Sequence, residues 1–182
     1  MTKIVLTILA LVAQGPSDLL SPYLANLVER VAESRAYEFI NRPVCREHFK
    51  RIYKKDPVEL WHQVKVVYVE LGGPDKHDQL KLGRYYWGSS QLLISASLRD
   101  VTALCPTRAR IDYIASTIVH ELAHYADFAS GGLGENNVPK GMEEGVYAEK
   151  QCECRTTMDA VIWLLTRSLA EVRDRPTNGG KR

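Results

Sequence analysis

Two histidines four residues apart, with a glutamate between them, are the residues of this chain best suited to chemistry. His120, Glu121 and His124 stand in the stretch I-V-H-E-L-A-H-Y-A-D-F, residues 118–128. No proline or glycine interrupts it, and Ile118, Val119, Leu122, Ala123 and Ala126 give it an apolar helical face. On a helix the i, i+4 spacing puts both imidazoles on one side, about 6 Å apart and one turn above the other. Two neutral imidazoles so placed can fill two tetrahedral positions of zinc. Glu121 is offset by one residue. Its carboxylate can reach a water carried by the metal rather than the metal itself, which is the place of a general base. Such side chains are costly in an apolar helix unless something pairs them. A metal ion is the expected partner.

Several elements must position these groups. The apolar period through Ile111, Ile114, Ala115, Ile118, Val119 and Leu122 fits one helix of about 20 residues, capped at Thr107. Its early turns are apolar enough to lie in the core and give the histidines a rigid base. Ser130-Gly131-Gly132 ends it, and the loop over 130–141 holds four glycines and one proline. A second helix over about 142–169 comes next and offers Glu143, Glu144, Glu149 and Glu153. A catalytic zinc usually has three protein ligands. No histidine lies beyond His124, so a third histidine ligand downstream is excluded; Cys152 and Cys154 as ligands would instead make a closed structural site, although their spacing does not suit one helical face. Upstream, Val64–Leu71 reads as a strand, and Gly83–Trp87 and Gln91–Ser95 as a hairpin turning at Gly88-Ser89-Ser90. Ser21-Pro22 starts a helix that runs to Ile40, whose task is to cover the back of the domain. Asp56-Pro57 caps a short helix through Leu60 and Trp61.

A strand, a hairpin and then a helix bearing H-E-x-x-H resembles the upper subdomain of the zincin superfamily of zinc metallopeptidases. The resemblance covers roughly residues 64–165 and implies an α+β fold. A small mixed or antiparallel sheet would pack on the active-site helix, and a second helix would carry the third ligand. In that superfamily the strand nearest the cleft pairs with the substrate backbone, a role the resemblance gives to residues 91–97. Lacking a third histidine, the chain is similar to the gluzincin type, in which a glutamate completes the ligand set. There the ligand glutamate is often followed four residues later by an acid that orients a ligand histidine. Glu149 with Glu153 has that spacing, so Glu149 is the implied third ligand and Glu153 its support. Glu144 is the alternative, nearer the familiar distance from the histidines. The chain lacks the third histidine of metzincins and the asparagine that precedes the ligand glutamate in thermolysin-like enzymes. The run E-E-G-V-Y-A-E-K also looks like that of small phage-type and bacterial H-E-x-x-H proteins. Hydrolysis of a peptide bond is the implied activity, with Zn2+ as cofactor and a peptide or protein as substrate. Tyr147 and Tyr125 are candidate donors to the oxyanion, Tyr147 the preferred one. Asp127, three residues past His124, either supports the site or caps the next segment. The alternative to an enzyme is an inactive zincin-fold module with a structural or regulatory role, for instance in a phage or virus particle.

At 182 residues the chain has room for one core, expected as one domain over 1–182 with a flexible tail from 173. A net charge of +2 without a dense basic cluster argues against nucleic acid. The basic patch Lys50, Arg51, Lys54 and Lys55 reads as a solvated face, and His62 and His77 as lone histidines. The apolar run Ile4–Ala13 has the shape of a short secretory signal over 1–15, or else of a buried strand or helix. It is too short to span a bilayer. The chain needs no disulfides from its four cysteines, so cytoplasmic thiols are the default and export depends on that signal.

Overall fold

The computed structural model describes residues 22–71, 82–96, 98 and 107–154. The apolar N-terminal run, His77, the apolar stretch after 159 and the C-terminal tail lie outside the described residues. The elements in chain order are α1 (Pro22–Ile40), α2 (Pro43–Tyr53), α3 (Pro57–Trp61), β1 (Lys65–Val69), β2 (Gly83–Tyr85), β3 (Gln91–Ser95), α4 (Thr107–Ala129), α5 (Leu133–Asn137) and α6 (Glu144–Gln151). This is the expected α+β arrangement of a small mixed sheet against helices.

Helix α4 is the axis of the molecule. It touches α1 along one side, β2 and β3 along another, and α6 across the third. Ile114, Ala115, Ile118, Val119, Leu122, Ala123 and Ala126 are buried on it, so its apolar surface extends well beyond one stripe. Ala32, Ala36 and Ile40 of α1 are buried in the same core, and the two alanines let the helices approach closely. Leu92 and Ile94 of β3 complete that core. At the rim Arg35 donates to Asp112 at 2.7 Å, fixing the register of α1 on α4. As expected, Asp56 caps α3, accepting from Val58 N at 3.0 Å. Its carboxyl also takes Arg46 at 2.5 Å and Lys50 at 2.9 Å.

The sheet order is β1-β3-β2. β3 pairs parallel with β1, Val67 opposite Leu93, and antiparallel with β2, Arg84 opposite Leu93. Both edges of β3 are therefore used. This overturns the assignment of 91–97 as the strand that receives substrate. Among the described residues β2 pairs with β3 alone, and β2 is the edge beside α4.

Cys45 of α2 and Cys152 at the end of α6 form a disulfide, while Cys154 is a buried free thiol. The expectation of four thiols is thereby corrected. The physical reason is proximity that sequence does not reveal: α2 and α6 are packed side by side, with the two cysteines 107 residues apart in the chain. Arg42 adds bonds to the carbonyls of Cys152 (3.4 Å) and Glu153 (3.2 Å).

His48 sits on α2 with 3% exposure, among the rings of Phe49, Tyr53 and Tyr147. Neither ring nitrogen has a protein partner. Burial, with a smaller contribution from Arg51, pulls its pKa down from 6.5 to about 4. The folded state therefore favours the neutral ring. Stability is unaffected above pH 6.5, falls as pH drops below 6.5, and levels off below about 4. His48→Leu should accordingly flatten the acid side of the stability curve. Between pH 7 and pH 5 the loss in unfolding free energy should shrink by up to about 2 kcal/mol. Urea titrations of both proteins at the two pH values measure it, and identical losses would remove His48 as the cause.

Candidate metal centre

His120 and His124 project from one face of α4, their rings 5.1 Å apart. Their Nε2 atoms converge on one oxygen, Glu143 Oε1, at 3.3 Å and 2.6 Å respectively. One ligand atom from each of the three residues lies within 4.8 Å of the others, a set able to hold a metal ion. In a tetrahedral site with bonds near 2.1 Å, ligand atoms stand about 3.4 Å apart. The 3.3 Å separation matches that value, and the 2.6 Å one is the length of a hydrogen bond.

The rear of each imidazole is also occupied by a carboxylate. His120 Nδ1 lies 2.9 Å from Glu149 Oε1, and His124 Nδ1 lies 3.4 Å from Glu144 Oε2. A carboxylate at Nδ1 holds the proton there and leaves the Nε2 lone pair facing forward, the tautomer a metal ligand needs. With Glu121, four carboxylates surround two imidazoles. The charge balance of the cluster reflects this. Burial works against a proton on His120, but Glu143 and Glu149 outweigh it and hold its pKa up at about 10. His124 is raised against burial in the same way by Glu143. Burial would lift the Glu143 carboxyl, yet the two histidines hold it far below the usual carboxylate range. The carboxylates favour positive charge at the two imidazoles, which ring protons or a metal dication can supply.

Helix α6 explains how Glu143 reaches this point. Glu143 is its N-cap, with extended backbone (φ −80°, ψ 144°), and its carboxylate accepts from Gly145 N and Val146 N, each at 3.0 Å. The first turn of the helix thus fixes the carboxylate before any metal does. Gly145 lets that turn close on the histidine, because a Cβ there would collide with the His120 ring. Gly145→Ala should raise helix propensity while pushing α6 off His120. Zinc affinity, measured by competition with a chromophoric chelator, is expected to fall about tenfold or more. An unchanged affinity would show that the contact relaxes freely.

Glu121 stands outside this ligand set and is 4% exposed. Burial raises its carboxyl to about 6 against the opposing pull of His120 and His124. Gly83 of β2 packs on its carboxylate, where a Cβ would collide. Gly83, Arg84, Tyr85 and Trp87 line a cleft of ≈ 330 Å³ together with His120, Glu121 and His124.

The structure thus brings His120, Glu121 and His124 together as expected, and sets Glu143 before the histidines in the place foreseen for Glu149. Glu149 stands behind His120, where Glu153 was expected. Glu153 is exposed and left-handed (φ +53°) just past a helix that ends at Gln151, short of the end near 169 that its apolar pattern suggested. Glu144, the alternative ligand, stands behind His124. Asp127 is buried and accepts from Gly134 N at 2.5 Å, so it braces the loop after α4. Tyr147 turns its ring to His48, 5.0 Å away, and is not among the residues lining the cleft. Tyr125 donates to Gln63 at 3.2 Å. Sequence reasoning offered Glu143 among four acids but preferred Glu149, and it gave no part to Gly83 or Gly145. The only sequence signal for Glu143 was an acid directly before the start of a helix, a common N-cap pattern.

No family model, curated protein or solved structure matches the chain. Its function must be read from the site itself.

Proposed function

We propose that the chain is a zinc-dependent peptide hydrolase, with His120, His124 and Glu143 as the metal ligands. The observation that carries this reading is the orientation of both histidines. Each has a carboxylate behind Nδ1 and the same third carboxylate before Nε2. That pattern suits a borderline-soft dication with nitrogen and oxygen ligands. A bound zinc ion would polarise a substrate carbonyl and lower the pKa of water at the site.

The chain's own residues supply the remainder. Glu121 lines the cleft and takes a proton from the attacking water. The proton then passes from its carboxyl to the amine that leaves. A carboxyl lifted toward neutral pH is suited to both transfers. Glu149 and Glu144 hold the two imidazoles in orientation. Gly83 packs on Glu121 in the strand β2, which among the described residues pairs on one side alone, so an extended peptide added to its other side would have a carbonyl beside the base. The Cys45–Cys152 bridge fits an oxidising compartment. Among the described residues no helix is long and apolar enough to cross a membrane.

The purified chain should contain about one zinc per molecule by mass spectrometry of the metal. It should cleave an unbiased peptide mixture, lose that cleavage on chelation and regain it with added zinc. A metal-loaded protein that leaves every peptide intact would remove the hydrolase reading and retain the metal site.

A further inference from the structure

The cleft has an aromatic wall that the hydrolytic chemistry does not require. Trp87 is 65% exposed and Phe128 is 37% exposed. Their rings meet edge to face at 5.4 Å. Phe128 lies 6.1 Å from Tyr85, and Tyr85 lies 5.6 Å from Tyr125. The four rings make one continuous strip, half-buried at the Tyr85 end and open to solvent at the Trp87 end. Tyr85 and Trp87 line the same cleft as His120, Glu121 and His124. Phe128 stands one helical turn beyond His124, so it belongs to the histidine face of α4.

Strand alternation places this strip relative to the base. Side chains of a strand alternate, so Gly83 and Tyr85 share one face of β2, with Gly83 against Glu121 of α4, while Arg84 lines the cleft from a position offset from both. Arg84 turns to Tyr86, its guanidinium donating to that hydroxyl at 2.7 Å. An extended peptide laid along β2 alternates in the same way. The residue beside Gly83 sits at Glu121. The residue two further on, about 7 Å away, faces Tyr85 and the exposed pair Trp87–Phe128.

Resting on the hydrolase reading above, we propose that Trp87 and Phe128 form a specificity subsite for a large apolar or aromatic side chain of an extended peptide, two residues from the bond to be cleaved. The occupant is a peptide side chain because the strip continues from the edge of β2 that no other strand pairs with among the described residues. Face and edge of each ring are available to an aromatic guest, the geometry such pairs favour.

The test uses capped octapeptides in which a single phenylalanine moves along an otherwise phenylalanine-free parent sequence. Binding to the zinc-loaded full chain carrying Glu121→Gln is measured by calorimetry, and cleavage by the zinc-loaded wild type is measured in parallel. At least one member of the series should bind about tenfold or more tightly than the parent, the gain expected from burying one large apolar side chain. Trp87→Ala with Phe128→Ala, in the Glu121→Gln background and with zinc content verified, should bring that member close to the parent. Equal binding across the series, or a preference that survives both substitutions, overturns the subsite. The two readings separate cleanly. Selective binding by the Glu121→Gln protein without any cleavage by wild type removes the hydrolase reading and keeps the subsite. Cleavage of the whole series at one rate does the reverse.

Discussion

Glu121→Gln is expected to reduce peptide hydrolysis by about 10²–10⁴-fold, the usual contribution of a general base, while zinc content stays at the wild-type level. The change removes one ionisable oxygen and almost no volume. Gly83 packs on this side chain, so an isostere keeps β2 in place where a smaller residue would open a gap. Glu121 is not one of the residues gathered with His120, His124 and Glu143, so the ligand set should survive. Rates on a single peptide, paired with metal analysis of the same samples, provide the measurement. Activity within a few-fold of wild type would eliminate Glu121 as the base. Loss of zinc along with activity would instead make it part of the metal's support.

The second large effect concerns the metal and ranks three glutamates. Glu143→Gln should leave the purified protein largely without zinc, since both Nε2 atoms face that carboxylate. Glu149→Gln and Glu144→Gln should retain zinc with affinity lowered about 10–100-fold, the range typical of carboxylates behind ligand histidines. Glu149 is expected to matter more, because its contact to His120 is 2.9 Å against 3.4 Å for Glu144 to His124. Competition titrations with a chelator give all three affinities. If Glu149→Gln proves the most damaging, the ligand is the one that the helix spacing first suggested.

The contrast between Glu143 and Glu149 marks how far the sequence could be read. Helix α4 was legible because its apolar period persists over several turns and His120, Glu121 and His124 are fixed within it by local geometry alone. β1 was legible from its β-branched run, and β2 and β3 from the turn at Gly88 between them. The order of the strands was not, because pairing of β1 with β3 skips over β2 and depends on tertiary packing. The positions of the glutamates around the histidines were not legible, and the geometry favours Glu143 over Glu149 on the Nε2 side. The spacing of Glu149 and Glu153 suits a continuous helix, but the helix ends at Gln151, so Glu153 lies beyond it; the N-cap Glu143 meets the Nε2 side of the histidines, while Glu144 and Glu149 within the helix meet the Nδ1 side. Tyr147 was near in sequence, yet its ring packs against His48 rather than in the cleft. The two glycines that admit Glu121 and His120 to their neighbours carry no side chain to read. Their meaning exists only where another chain segment comes within contact distance.

The bridge between Cys45 and Cys152 closes a ring that contains the sheet, the cleft, α4 and the segment 130–141, which was expected as a loop and instead holds the short helix α5. A chain acting as the proposed peptide hydrolase would be exposed to copies of itself, and the exposed turns flanking α5 are natural places to be cut. A single cut anywhere between Cys45 and Cys152 cannot separate the pieces. The nicked molecule keeps its mass apart from one added water, and keeps Glu143 tethered near His120 and His124. Electrophoresis would show it as one band without reductant and as two fragments with it.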